Sequence, residues 1–399
     1  MARSTDKKGF RTVPEMNMEE YQQKLREHRL AVFRRTAIGV LAIVLFFGGL
    51  GLYMSLHQYT DYDVRYSVER ADTQATVFEE FNGNILKYSN DGAFYTDHSN
   101  EMIWNQTYEM SHPAIDICEG YLAIYDKAGT QIYILTVNGL IGKIETTMPI
   151  QQVSIANQGT VAVLMDNHST GQLALYDKKG TELANGAIHG EKGGYPIAIA
   201  LSNDAIKLAV SMLDINDGNV KTTVAFYNFG SVGENEIDHI VAANSFSDMV
   251  IPELDFVSSD RLVAFGDSEI VIFEGTQKPK IATEIQLNQE IKSVFHNEKY
   301  VGVVYSNTDE TATQHVALYD MNGAVVMEKD FDLEYTSVEL LTNNEVCISN
   351  VASCDIYTAR GIHKFHYDFD GELYKIISGS SSLNYTFILN DATEQVRLK

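Results

Sequence analysis

The chain has 399 residues, 45% of them hydrophobic, with only six Pro and a formal net charge of −24. That length holds one large domain or two ordinary ones, and the apolar share excludes a disordered chain. So acidic a surface repels phosphate backbones, which argues against nucleic acid as a partner of the main body and otherwise serves solubility.

The charge is unevenly spread. Residues 1–35 carry nine Lys/Arg against five Asp/Glu, whereas residues 57–399 carry 21 against 49. Near the start, Asn17-Met18-Glu19-Glu20 has the form of a capping box, and Met18, Tyr21, Leu25 and Val32 follow at helical spacing. Residues 1–35 are therefore expected to be a short cytoplasmic segment with an amphipathic helix, read as an extension of the element that follows it.

From Thr36 to Thr60 no residue carries a charge, and Ala37–Leu56 is almost wholly apolar. A helix of that length, rising about 1.5 Å per residue, spans the roughly 30 Å hydrocarbon layer. Arg34 and Arg35 abut its start and Asp61 follows its end. The positive-inside rule then puts the N-terminus in the cytoplasm and the rest outside. A cleaved signal peptide fits less well: 35 residues precede the run, and Gly49-Leu50-Gly51, the one small-x-small pattern, lies within it. The expected division is a transmembrane helix over 36–56, a linker over 57–72 and an extracytoplasmic domain over 73–399.

Beyond residue 72 short alternating runs recur between Asn-Gly, Asn-Asp, Asp-Gly and Lys-Gly turns, and the 22 Tyr and 18 Phe also favour strands. "QLALYDKKGTEL" (172–183) matches "HVALYDMNGAVV" (315–326), and "CDIYTARGIHKF" (354–365) has the same outline. Strand, turn, strand, hairpin, strand and Gly turn, repeated along the chain, indicate an all-β propeller, preceded by one transmembrane α-helix. Placing the third strand of successive blades at Trp104, Leu135, Tyr176, Tyr227, Phe273, Tyr319 and Tyr357 gives seven. Residues 373–399 supply three strands of an eighth, which residues 73–81 are expected to complete. Eight blades are favoured, with seven as the alternative. "YDKAG" (125–129) fits the repeat by eye yet falls on another strand position.

In this register the long loops gather on one face: Asp166 and His168; His189, Lys192 and Tyr195; Asp214, Asn216 and Asp217; Asp309 and Glu310. The closing strand starts on the opposite, tight-turn face, so the long-loop face is expected to point away from the membrane, where loops on a rigid scaffold favour binding.

No GxSxG, Walker, HExxH or CxxC pattern is present, so no catalytic residue, metal ligand or cofactor is assigned. "DINDGN" (214–219) resembles a calcium loop but lacks its glycine position and bidentate Glu. His363 and His366, three apart, would fall on opposite faces of a strand and read as surface residues. Cys118 reads as a core residue. A two-residue turn at Asn350-Val351 would set Cys347 opposite Cys354, making a disulfide possible.

"GNILKYSNDGAFYTDHSNEMIWNQTYEM" (83–110), "YPIAIALSNDAIKLAVSML" (195–213) and "KTTVAFYNFGSVGEN" (221–235) resemble a family of uncharacterised single-pass propeller proteins of Gram-positive bacteria with a domain of unknown function. The resemblance implies membrane anchoring and a quinoprotein- or WD40-like propeller, and carries no catalytic residues. With one Trp and no adjacent Cys pair, the chain shares only architecture with quinoprotein dehydrogenases. The expected function is a non-enzymatic binding or scaffold module on the cytoplasmic membrane, engaging a protein or cell-wall component. The alternative is a tethered enzyme or small-ligand sensor in the central channel, with Asp116, Ser154 and Asp255 on or beside its inner strands.

Overall fold

The structure is a computed structural model that describes residues 18–70, 75–166, 170–189, 193–216, 218–287, 289–306 and 313–399. The chain forms two compact units, Met1–His57 and Gln58–Lys399. The first contains one helix, α1 (Met18–Leu56), whose segment Tyr21–Gly49 is long and apolar enough to cross a membrane. The amphipathic stretch and the apolar run are thus one continuous helix. Asn17 of the expected capping box lies outside the described residues.

The second unit is an eight-bladed propeller of four-stranded antiparallel sheets, with 32 strands, β1 to β32, among the described residues. Six of the seven expected third strands hold that position. Trp104 does not: it lies on β5 (Met102–Thr107), the outer strand of blade 1. The tight turn at Asn90-Asp91 folds β3 (Asn84–Ser89) directly onto β4 (Gly92–Thr96), so the third strand comes earlier than the repeat suggests.

Closure also differs from expectation. Residues Val77–Phe81 form β2, the innermost strand of blade 1. The last blade is completed instead by β1 (Tyr62–Glu69), from the stretch expected to be linker, which pairs with β32 (Ala392–Leu398) from Tyr62↔Leu398 to Glu69↔Ala392. Its alternation Tyr62, Val64, Tyr66, Val68 is the signal. Tyr62 drives its ring against Tyr367 and Phe387, with centroids 4.8 and 5.1 Å away. A half-buried lysine stitches the same region: Lys375 on β30 (Leu373–Ser378) reaches Glu339 of blade 7 and Glu79 of blade 1, each at 2.7 Å.

The repeated Tyr-Asp-x-x-Gly phrase is a turn between third and outer strands. Asp177 accepts from the backbone N–H groups of Lys179 and Thr181 at 2.9 and 2.8 Å, and Asp320 from those of Asn322 and Ala324 at 2.9 Å each. Gly180 and Gly323 take φ of 87° and 79°, a left-handed region that favours glycine. These bonds favour the carboxylate and hold both Asp pKa values below the usual range. Just after this corner, each of the eight outer strands carries one extra residue relative to its partner, a β-bulge.

Blades pack through apolar seams such as that of Ile134, Val153, Val163 and Ala174 between blades 2 and 3. Two lysines buried in the seams are both paired. Lys207 is fully buried, and its Nζ donates to the Thr276 carbonyl at 2.8 Å and meets Asp260 at 3.3 Å. Between blades 7 and 8, buried Lys364 pairs with Glu345 and donates to Tyr385 Oη at 2.7 Å; Tyr385 itself donates to Glu345.

Two outcomes follow. A chain starting at Gln58 should melt cooperatively, whereas one starting at Ala75 exposes the edge of β32 and should aggregate or melt roughly 10 °C lower, by scanning calorimetry and size exclusion. Lys364→Ala strands Glu345 without its cation and should cost about 3–5 kcal/mol in denaturant unfolding, while the Lys364→Met/Glu345→Gln pair should cost much less.

Candidate functional site

The propeller offers two faces and a channel. On the long-loop face, Tyr195 at the start of β14 (Tyr195–Leu201) donates to Asp166 at the end of β11 (Val161–Asp166) at 2.8 Å, tying blade 4 to blade 3. His189 closes β13 (Glu182–His189) opposite Thr170. His168, Lys192, Asp217, Asp309 and Glu310 lie outside the described residues. Arg34 and Arg35 are within α1. Asp61 is bound to Lys399 at 3.2 Å, and the backbone N–H of Tyr62 holds its carboxyl below the usual range.

The outstanding element of this face is the hairpin of β15 (Lys207–Asn216) and β16 (Asn219–Asn228). It continues past both neighbouring strands: β14 stops opposite Leu213, and β17 (Ile240–Ser247) stops opposite Lys221. The pairs Ile215↔Val220 and Asn216↔Asn219 therefore stand clear of the sheet. Asn216 Nδ2 donates to Asp214 at 2.5 Å, and the Ile215 side chain is 64% exposed. The calcium-loop resemblance is a simple hairpin tip.

The channel residues converge. Asp116, Ser154, Asp255 and His296 line one cavity of about 310 Å³, together with Cys118 and Glu119. They sit near the ends of the inner strands β6 (Pro113–Cys118), β10 (Ile150–Ile155), β18 (Glu253–Ser258) and β22 (Ile291–His296), so the cavity opens on the tight-turn face. Asp116 Oδ2 accepts the backbone N–H of Ile155 at 2.6 Å, and His296 Nδ1 lies 3.5 Å from Asp255 Oδ2. Asp255 is half exposed where it lines the channel. Desolvation by the surrounding walls raises Asp116 to about 7, countered by the Ile155 N–H and reinforced by Asp255. Desolvation likewise raises Asp255 to about 6 and lowers His296. Cys118 is half-buried in the cavity wall, its thiol pushed up to about 12 by burial and then by Glu119. Sequence reasoning misses His296 because a lone His before a turn carries no spacing signal.

Two further expectations are corrected. His363 and His366 share a face of β29 (His363–Asp368), because the bulge skips Lys364: Tyr357 pairs with His363 and Ile356 with Phe365. Both imidazoles meet Asp355 of β28 (Ser353–Tyr357), His363 Nε2 at 2.8 Å and His366 Nδ1 at 2.9 Å. The cysteines are not directly opposed. A four-residue turn over Asn350–Ser353 puts Ser349 opposite Cys354 and Cys347 opposite Ile356, leaving two buried free thiols.

Residues 55–398 match a family described as of unknown function (DUF5711). No curated protein matches the chain. Among solved structures, BamB from Moraxella catarrhalis is similar with a TM-score of 0.51 and 13% identity, covering 85% of this chain and 98% of that one. Sqt1 from Chaetomium thermophilum is similar at 0.53 and 11%, covering 85% and 98%. Identities this low establish the propeller fold alone.

Asp116 makes a pH prediction. A carboxyl whose folded pKa is raised contributes stability that is complete below about 4 and lost as pH rises through about 7. Asp116→Asn keeps an acceptor for Ile155 and removes that loss. Its melting temperature should match wild type near pH 4.5 and exceed it by several degrees at pH 8, and superimposable curves would remove Asp116 as a titrating group of the channel.

Proposed function

We propose that this chain, which belongs to the DUF5711 family of unknown function, is a membrane-anchored binding module whose long-loop face engages a protein or cell-wall component outside the cytoplasmic membrane. The observation that carries the reading is the β15–β16 hairpin: a rigid scaffold holds an exposed Ile215 beyond the sheet, beside the acidic Asp214. An apolar tip rimmed by polar groups is the form a partner-binding projection takes.

Orientation follows from connectivity. Lys/Arg-rich residues precede the apolar helix, which favours a cytoplasmic N-terminus. β1 is an outer strand, so it begins on the tight-turn face, and the connection from the helix arrives there. The long-loop face is then directed away from the membrane.

The cavity supports a second reading, a small-ligand sensor. Asp116, Ser154, Asp255 and His296 converge on a space of about 310 Å³, the size of a small polar molecule. Two carboxyls with raised pKa values beside a neutral imidazole suit a ligand that brings hydrogen-bond donors or a positive charge. A macromolecule would use the hairpin and a small molecule the channel.

A photo-crosslinking residue distinguishes the faces in intact cells. Placed at Ile215 it should capture a discrete partner, and placed at Asn322 in a tight turn it should capture none. Equal capture from both positions, or crosslinks from Asn322 alone, would sink the loop-face reading.

A further inference from the structure

The cluster on the outer edge of blade 7 has a chemistry that neither reading uses. Among the described residues, Asp355, His363 and His366 bring one ligand atom each within 4.8 Å of one another. Asp355 is buried, while the two imidazoles are partly exposed, so the group has a rigid base and an open front. We propose that these three side chains form a binding site for a zinc-class divalent transition metal, with its remaining coordination open to water.

Three features support the assignment. The donor set is right: two imidazoles and a carboxylate are the ligands that borderline-soft metals take, whereas Ca²⁺ and Mg²⁺ require oxygen. The spacing is right as well. Bonds of about 2.0–2.1 Å in a tetrahedral site put donors roughly 3.3 Å apart. The imidazole nitrogens now stand 2.8 and 2.9 Å from Asp355 Oδ1, so admitting an ion needs a small outward rotation of two partly exposed rings.

The third feature is the outer partner of each ring. His363 Nδ1 lies 3.2 Å from the Gln58 amide, and His366 Nε2 lies 3.7 Å from Asp368 Oδ2. As the rings stand, each points an N–H at Asp355. When an ion takes the place of those protons, each imidazole binds it through the nitrogen that faced Asp355 and carries its proton on the far nitrogen. There the Asp368 carboxylate receives one N–H, and the Gln58 amide, turned to present its oxygen, receives the other. Tyr357 stacks on His363 with centroids 4.7 Å apart and confines that ring to small rotations in its own plane.

The site also fastens the segment that follows the apolar helix. Tyr59 runs alongside β29, its N–H on the Lys364 carbonyl at 2.8 Å, while Gln58 contacts His363. An ion bound by blade 7 would therefore steady the connection through Gln58.

The test uses the full chain in detergent, stripped with EDTA and titrated with Co²⁺. One equivalent should give tetrahedral ligand-field absorption, displaced by Zn²⁺ and unaffected by millimolar Ca²⁺. His366→Gln should weaken binding at least tenfold and His363→Gln/His366→Gln should abolish it. Gln58→Ala should weaken it about tenfold, the loss typical of an outer partner. His315→Gln, which alters an unrelated His–Asp pair, should bind as wild type. Melting without metal checks folding: wild type and His366→Gln should coincide, and Zn²⁺ should raise only the wild type. No stoichiometric Co²⁺ binding by the wild type, or binding by the double variant as tight as the wild type's, overturns the proposal.

Discussion

A ring of sheets is stable only if its last edge finds a partner, and here that partner comes from the residues directly after the apolar helix. β1 contributes the outer strand of blade 8 and satisfies the free edge of β32. Several other features depend on this join. Tyr62 sets its ring into the aromatic cluster of Tyr367 and Phe387, and Lys375 bridges carboxylates of the blades on either side. Closure by an outer strand also dictates that the chain enters on the tight-turn face, because outer strands run from that face toward the other. The apolar helix and the fold are thereby linked through chain order alone.

The repeat is legible because its turn is made by local chemistry. A Tyr, an Asp that caps two N–H groups and a Gly at positive φ mark the corners after Tyr176 and Tyr319, and the repeat they belong to places six third strands correctly. "YDKAG" at 125–129 shows the limit. Asp126 accepts the N–H of His112 instead, and its turn joins the second and third strands. The same short phrase serves two topological positions, and only pairing tells them apart. Closure is misplaced from sequence for a related reason: residues 62–69 and 77–81 are both short strands, and inner and outer strands differ in what covers them, which one strand's sequence does not record.

The candidate sites are less legible, and the β-bulge explains part of this. Counting by twos separates His363 from His366, yet the burial of Lys364 and Phe365 between two partly exposed histidines shows that parity breaks there. The break is not peculiar to blade 7, since every outer strand has its bulge just after the same corner. Position relative to the Gly turn, applied blade by blade, is the signal that locates it. The channel is a different case. Asp116, Ser154, Asp255 and His296 come from four blades, so their meeting depends on ring closure and blade count, which act over long sequence separations.

The acidity of the chain then divides into groups with different physical meaning. Carboxylates such as Asp177 and Asp320 hold turns, and their depressed pKa values express hydrogen bonds already made. Carboxyls in the channel, Asp116 and Asp255, are partly desolvated by the surrounding strands and hold their protons to higher pH. Asp355 belongs to neither group. Burial alone would raise its pKa, but two imidazole hydrogen bonds outweigh that and keep it ionised. A buried carboxylate faced by two imidazole nitrogens is an environment that a cation suits, because it supplies charge at the point where the three donor atoms meet. The same argument does not extend to Glu345, whose charge is already answered by the buried ammonium of Lys364. Net charge therefore says little about where a cation would bind. What decides it is which carboxylates still have a coordination position to offer.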